Sequence, residues 1–192
     1  MKIKVLIKKM YRFFFRKKDK RELLNTPEWD KLPEDEQLSI WRSLGIKIGN
    51  NCHIYSKLPI GRDCFLLEIG NNVTITHTTF LTHDASVGNA TNMKYTDILG
   101  KIVISDNCFT GYGTIILPGV FLAKGIIVGS GSVVTRSFKE ENIVIAGNPA
   151  KKICTVKDFL NKNSVHMLNL NGLKKKDLLD YISKNPNVLR QR

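Results

Sequence analysis

The sequence predicts an all-β solenoid of short parallel strands, and three observations carry that prediction. Aliphatic residues recur every six positions. The run is Ile48, Ile54 and Ile60; then, after three inserted residues (Leu66 to Glu68), Ile69, Ile75, Leu81 and Val87; then, after a second interruption, Ile104, Thr110, Ile116, Leu122, Val128 and Val134. The residue four places after each start is mostly small or β-branched: Cys52, Cys64, Val73, Thr79, Ala85, Cys108, Thr114, Val120, Ser132. The residue two places after it is mostly polar, and glycine often follows the start directly, at Gly49, Gly61, Gly70, Gly88, Gly111 and Gly129.

Offsets of two and four would share one face of a straight strand. Their opposite chemistries therefore require a bend inside each unit. A short strand followed by a turn provides it, and three units close a three-sided coil of about eighteen residues. Stacked coils pair as parallel strands about 4.8 Å apart, with the aliphatics filling a narrow interior. Glycine is expected at corners, where φ can be positive. Cys52, Cys64 and Cys108 share the small-residue phase and read as core fillers. With Cys154 they form no C-x-x-C pair and no zinc spacing, as expected for reduced thiols in a cytoplasmic protein.

The flanks divide the chain. Residues 1–20 are a basic amphipathic segment. Within 1–18, Ile3, Leu6, Ile7, Met10, Phe13 and Phe14 fall on one side of a helix and Lys4, Lys8, Lys9, Arg12 and Arg16 on the other. That pattern suits either an anionic membrane surface or a neighbouring subunit. Residues 21–46 are a helical cap, with a helix predicted over 28–44 and ended by Gly45; it would cover the open end of the first coil. Residues 47–153 hold the coil, with an extruded loop at 88–103. Residues 154–192 are a C-terminal extension with a linker over 161–171 and a short helix over 173–184.

The net charge of +13 invites a nucleic-acid reading, but its distribution argues against one. Residues 1–20 carry nine Lys/Arg and one Asp (+8), residues 151–192 carry ten Lys/Arg and three Asp (+7), and the body between them is −2. The basicity belongs to the ends.

Three stretches make the reading specific: Ile104-Ser-Asp-Asn-Cys-Phe-Thr-Gly-Tyr-Gly-Thr-Ile-Ile-Leu-Pro-Gly-Val120, Val128-Gly-Ser-Gly-Ser-Val-Val-Thr-Arg136 and Ala146-Gly-Asn-Pro-Ala-Lys151. Together they resemble the hexapeptide-repeat acyltransferases, in particular the sugar O-acetyltransferases of the galactoside, maltose and capsule type and the related xenobiotic acetyltransferases. The resemblance covers about 45–155. It implies a left-handed parallel β-helix, a homotrimer with active sites shared between subunits, and acetyl-CoA as cosubstrate with no metal required. The acceptor would be a small molecule or glycan, acetylated on a saccharide hydroxyl in surface polysaccharide or glycan biosynthesis. N-acetylation of an amino sugar is the alternative within the class.

His83, in Leu81-Thr-His-Asp84, matches the position of the family's catalytic base. The chemistry agrees: a hydroxyl attacking a thioester must shed its proton, and imidazole titrates near working pH. Asp84 reads either as a group that orients the ring or binds the acceptor, or as a turn aspartate; Glu68 is a weaker candidate for the acceptor side. His77 is expected at the surface, one face away from His83. Backbone N–H groups near Gly111 and Tyr112 are candidate oxyanion donors. The resemblance places Phe109, Gly111, Tyr112, Gly129, Ser130, Thr135 and Arg136 along the cofactor, with Lys151 and Lys152 toward its phosphates. Phe109 stands where the family often has Trp, which removes an indole N–H from that wall. A three-histidine metal site of the γ-carbonic anhydrase kind finds no suitable third histidine. A non-catalytic coil serving as a scaffold is the remaining rival.

Overall fold

The computed structural model describes residue 24 and residues 26–191 apart from 60; the segment predicted over 1–18 lies outside them. The chain winds around three sides. One sheet stacks β1 (Lys47–Ile48), β3 (Leu67–Ile69), β8 (Ile102–Ile104) and β11 (Phe121–Leu122). A second stacks β2 (His53–Tyr55), β4 (Thr74–Thr76), β9 (Phe109–Thr110), β12 (Ile127–Val128) and β14 (Ile143–Gly147), with β15 (Ala150–Thr155) turning back antiparallel at its end. A third stacks β5 (Thr79–Phe80), β10 (Ile115–Ile116) and β13 (Val133–Val134). Successive coils pair in parallel, eighteen residues apart in the regular part, Ile104 with Leu122 and Thr110 with Val128.

The interior matches the predicted phases over most of their length. Ile48, Ile54, Ile69, Ile75, Ile104, Ile116, Leu122, Val128 and Val134 are buried, as are Cys52, Cys64 and Cys108. The hydroxyls of the small-residue phase cap corner carbonyls from inside: Thr114 Oγ1 donates to Gly111 O at 2.7 Å and Ser132 Oγ to Gly129 O at 2.6 Å. That meets the requirement that buried polar groups be paired.

The corners differ from expectation. The glycines that follow each start do not take positive φ. Those angles fall instead on Asn51, Asn72, Asn107 and Asn142 at the corner joining the first sheet to the second, and on Gly113 and Gly131 at the corner joining the second to the third. The asparagines form a ladder, Asn51 Nδ2 to Asn72 Oδ1 at 3.2 Å and Asn72 Nδ2 to Asn107 Oδ1 at 3.1 Å. Asparagine tolerates the left-handed region better than other side chains. Gly111 serves closeness rather than torsion: a Cβ there would stand 2.6 Å from Ser130 N.

The six-residue count fails at one turn. Ile75 is level with Thr110 and Phe80 with Ile116, so one coil takes five residues where the next takes six. His77 makes that turn with φ 41°. In consequence Leu81 is 39% exposed, Val87 sits on a helix outside the core, and Thr79 and Ala85 are exposed, while Phe80 and Thr78 take the buried places. The pairing register between coils overrides the linear period.

Three further boundaries move. Pro33 splits the helix predicted over 28–44 into a single 3-10 turn at Trp29–Lys31 and α1 (Glu34–Ser43), because proline pushes the preceding residue, Leu32, into extended geometry (ψ 141°). Trp29 and Trp41 pack edge-to-face at 5.1 Å in the cap, and Gly45, with φ 103°, follows the helix as expected. The extruded segment starts and ends earlier than 88–103: β6 (His83–Asp84) pairs antiparallel with β7 (Ile98–Leu99) around α2 (Ser86–Ala90), and Ile102 is already inside the coil. The linker predicted over 161–171 begins as helix, α3 (Val156–Asn163), whose N-cap Thr155 accepts from Asp158 N at 3.1 Å. The predicted C-terminal helix is α4 (Lys175–Lys184).

Candidate active site

The third corner, from the third sheet back to the first, carries His83. Thr82 points inward and is buried, and the next residue therefore faces out. The backbone of β6 is held against Leu99 of β7, which fixes where the ring leaves the corner. Its side chain is 50% exposed, and Nδ1 lies 2.8 Å from Asp63 Oδ2. The same oxygen accepts the Thr82 hydroxyl at 2.6 Å. The Asp63 side chain is only 13% exposed. Gly61 makes room for it, since a Cβ at Gly61 would stand 2.5 Å from Asp63 Oδ1.

Two opposing influences act on Asp63. Burial pushes its carboxyl up, but hydrogen bonds from Thr82 and His83 and from its own backbone hold it below the ordinary carboxylate range. The group is an anion at neutral pH. An anion can only accept, so Nδ1 carries the proton and the Nε2 lone pair is directed away from Asp63.

The group on His83 is thus Asp63, rather than Asp84 or Glu68. Asp84 Oδ1 accepts from Ser86 N at 2.9 Å, and that bond holds its carboxyl below the usual range; it is a turn aspartate. Glu68 lies on β3, between Lys47 Nζ at 2.6 Å and Lys101 Nζ at 2.8 Å, which depress its carboxyl. It belongs to the first sheet's outer face. His77 is on another corner, its ring 4.6 Å from that of Tyr112. His53 pairs with Glu34, and His166 Nδ1 is 3.1 Å from Val188 O. Among the described residues no three His, Cys, Asp or Glu converge in a metal-binding arrangement.

The residues expected along the cofactor fall on two corners and on β15. Tyr112 and Ser130 stack at the corner between the second and third sheets, with Gly111 and Gly129 beside them and Phe109, 39% exposed, on the adjoining strand. Thr135 and Arg136 stand exposed on the His83 corner, the Arg136 guanidinium 5.4 Å from the Phe138 ring. Lys151 and Lys152 lie on β15, and Lys152 reaches Glu140 at 2.6 Å. The whole third sheet separates the two corners. One expected donor is spent: Gly111 N–H donates to Val128 O at 2.9 Å. The Tyr112 N–H has no acceptor among the described residues.

This repeated coil, with an imidazole–carboxylate pair on one corner and a Tyr–Ser wall on the next, defines an acyl-transfer class, and comparison with known proteins agrees: the chain belongs to the hexapeptide-repeat acetyltransferases. It is 40% identical over 126 residues to protein CapG of Staphylococcus aureus, an alignment spanning 63% of this chain and 72% of that protein. A maltose O-acetyltransferase of Clostridium difficile superposes with a TM-score of 0.51 at 25% identity, over 71% of this chain and 81% of that one. A hexapeptide-repeat acetyltransferase of Vibrio cholerae shares the fold, with a TM-score of 0.56 at 22% identity over 72% of this chain and 87% of that one. No protein-family model matches the chain.

Proposed function

We propose that this left-handed coil transfers an acetyl group from acetyl-CoA to a hydroxyl of a saccharide, in surface polysaccharide or glycan biosynthesis, with His83 as general base. The observation that carries the proposal is the His83–Asp63 pair at 2.8 Å, beside a buried threonine on the same carboxylate oxygen. Acetyl-CoA supplies the acetyl group as a reactive thioester. His83 Nε2 takes the acceptor's proton as the new C–O bond forms and the C–S bond breaks, and it holds that proton until it passes to the departing sulfur. Asp63 keeps Nδ1 protonated and stabilises the transient imidazolium. The likeness to a maltose O-acetyltransferase supports a sugar hydroxyl as acceptor.

The chain's own chemistry fits the cofactor. Tyr112 and Phe109 offer exposed apolar surface for a pantetheine arm, Ser130 and Thr135 offer hydroxyls, and Arg136, Lys151 and Lys152 offer cations for phosphates. Because the third sheet separates the Tyr112 wall from His83, one chain does not assemble a site alone. A homotrimer that sets the His83 corner of one subunit beside the Tyr112 corner of the next does so, and light scattering should give about three times 21.8 kDa. The protein works in the cytoplasm, with residues 1–18 as a peripheral contact to the membrane's inner face. The deciding experiment is calorimetry with acetyl-CoA, followed by a screen of sugars, nucleotide sugars and glycans for acetyl-CoA-dependent release of free thiol. Absence of acetyl-CoA binding defeats the proposal, and amine-only acceptors would move it to N-acetylation.

A further inference from the structure

The C-terminal arm beyond β15 plays no part in the site described, and its surface is unusual. Five apolar side chains within nine residues stand in solvent: Val165 (69% exposed), Met167 (53%), Leu168 (38%), Leu170 (54%) and Leu173 (44%). Three lysines, Lys174 to Lys176, follow at once. The next helix, α4, has no buried residue and adds exposed Leu179 and Tyr181. Single exposed apolar residues are ordinary, but five of them within nine residues, followed at once by three lysines, concentrate apolar surface and positive charge in one stretch of chain, as a docking surface does. The arm is a formed object: Thr155 caps α3, and His166 meets the carbonyl of Val188, which is itself buried.

We infer that this arm docks the protein on an anionic lipid bilayer, with Val165, Met167, Leu170 and Leu173 entering the headgroup boundary and Lys174 to Lys176 meeting the phosphates. Charge selects this occupant. Residues 151–192 carry +7 and residues 1–20 carry +8, so covering the arm with the chain's own N-terminal segment, or with the same arm of a second copy, brings like charges together. Among the described residues of the arm and β15, Lys152 is the one cation with an ion-pair partner. Nucleic acid would satisfy the lysines but leave the Leu, Met and Val side chains in water; bases stack on aromatic rings, and Tyr181 is the one exposed aromatic from 156 to 191. An anionic bilayer meets both halves of the surface, as it does for interfacial helices. The inference is independent of the acetyl-transfer reading and of residues 1–18.

The test is co-sedimentation of the full chain, residues 1–18 unaltered, with phosphatidylcholine vesicles with and without phosphatidylglycerol. Each lysine near such a surface contributes about a fivefold gain in partitioning, so Lys174→Gln, Lys175→Gln and Lys176→Gln together should weaken binding about a hundredfold. Met167→Ser, Leu170→Ser and Leu173→Ser should also weaken it, and this loss should persist in high salt, where the lysine contribution is screened. All six positions are exposed, so melting temperatures should hold. Equal binding to neutral and anionic vesicles overturns the inference, as does wild-type binding by both triple variants. Serine variants that change the oligomeric state without changing vesicle binding would assign the arm to a subunit contact, and tighter binding to duplex DNA or RNA than to vesicles would assign it to nucleic acid; each outcome refutes bilayer docking. Acetyl transfer to a water-soluble acceptor should be unaltered in both triple variants; its loss there would place the arm in the active site and overturn the docking assignment, whereas absence of transfer by the native chain would count against the acetyl-transfer reading alone.

Discussion

Asp63→Asn is the most informative single change, because it removes a charge and leaves the shape. In the native protein one oxygen, Oδ2, accepts both the Thr82 hydroxyl at 2.6 Å and His83 Nδ1 at 2.8 Å. The amide can still pair with Thr82, whose hydroxyl serves as donor or acceptor. It no longer offers an anion to the imidazolium formed when His83 takes a proton. Two unit charges about 4 Å apart interact by about 1 kcal/mol in water and about 4 kcal/mol near a protein surface. Asp63 is nearly covered and His83 half exposed, which places the pair in the middle of that range, about 2–3 kcal/mol. The expected loss in kcat is therefore about 30- to 150-fold. Free-thiol release gives kcat and KM for both substrates. The KM for acetyl-CoA should change less than about threefold, and Tm should fall by no more than roughly 2–6 °C, the equivalent of one neutral hydrogen bond. The sign of the pH dependence follows from the depressed carboxyl. Its contribution is fully present above the ordinary carboxylate range and is lost as pH falls through its lower folded value, so at neutral pH the native pair is intact. A variant that keeps more than about a third of native kcat, with chemistry limiting the rate, refutes the orienting role of Asp63.

Three other outcomes are expected. Gly61→Ala places a methyl 2.5 Å from Asp63 Oδ1; the carboxylate must swing away, and kcat should fall at least about tenfold with the coil still folded, as circular dichroism would check. His83→Ala should reduce kcat by roughly 10²–10⁴ with acetyl-CoA affinity and Tm near native, whereas His77→Ala, on the Tyr112 corner, should show no such collapse. Burial pushes the Cys108 thiol up to about 11, so at pH 8 iodoacetamide should modify half-buried Cys154 in the native protein and all four cysteines in denaturant, read by mass spectrometry.

Most of the coil was legible in the linear pattern, because each unit's core residue needs only its own hexad to declare itself. Ile104 to Val134 kept its phase without a break, and the motifs there identified the class. Gly45 marked the helix end, and His83 stood out by its Thr-His-Asp setting. Two features of the flanks also left local signals, Pro33 inside the predicted helix and the Thr-x-x-Asp cap at Thr155.

The partner of His83 was not legible. The sheets pair the first two coils at an offset of twenty-one, Lys47 with Glu68 and His53 with Thr74. Counting back twenty-one from His83 arrives at Arg62. The five-residue step at His77 shortens the offset to twenty and brings Asp63 level with the imidazole. Nothing local announces that step, since His77 and Thr78 are as polar as the six-residue turn of the next coil. The inter-coil hydrogen bonds decide it, by fixing Thr79 against Ile115 and Phe80 against Ile116. Sequence alone determined that the chain is a repeated coil of the hexapeptide-repeat acetyltransferase class and singled out His83 as the candidate base. Tertiary pairing decided which carboxylate meets that histidine and which corner each candidate cofactor residue occupies, because strand register is a property of neighbouring coils and a slip of one residue re-aims every side chain after it.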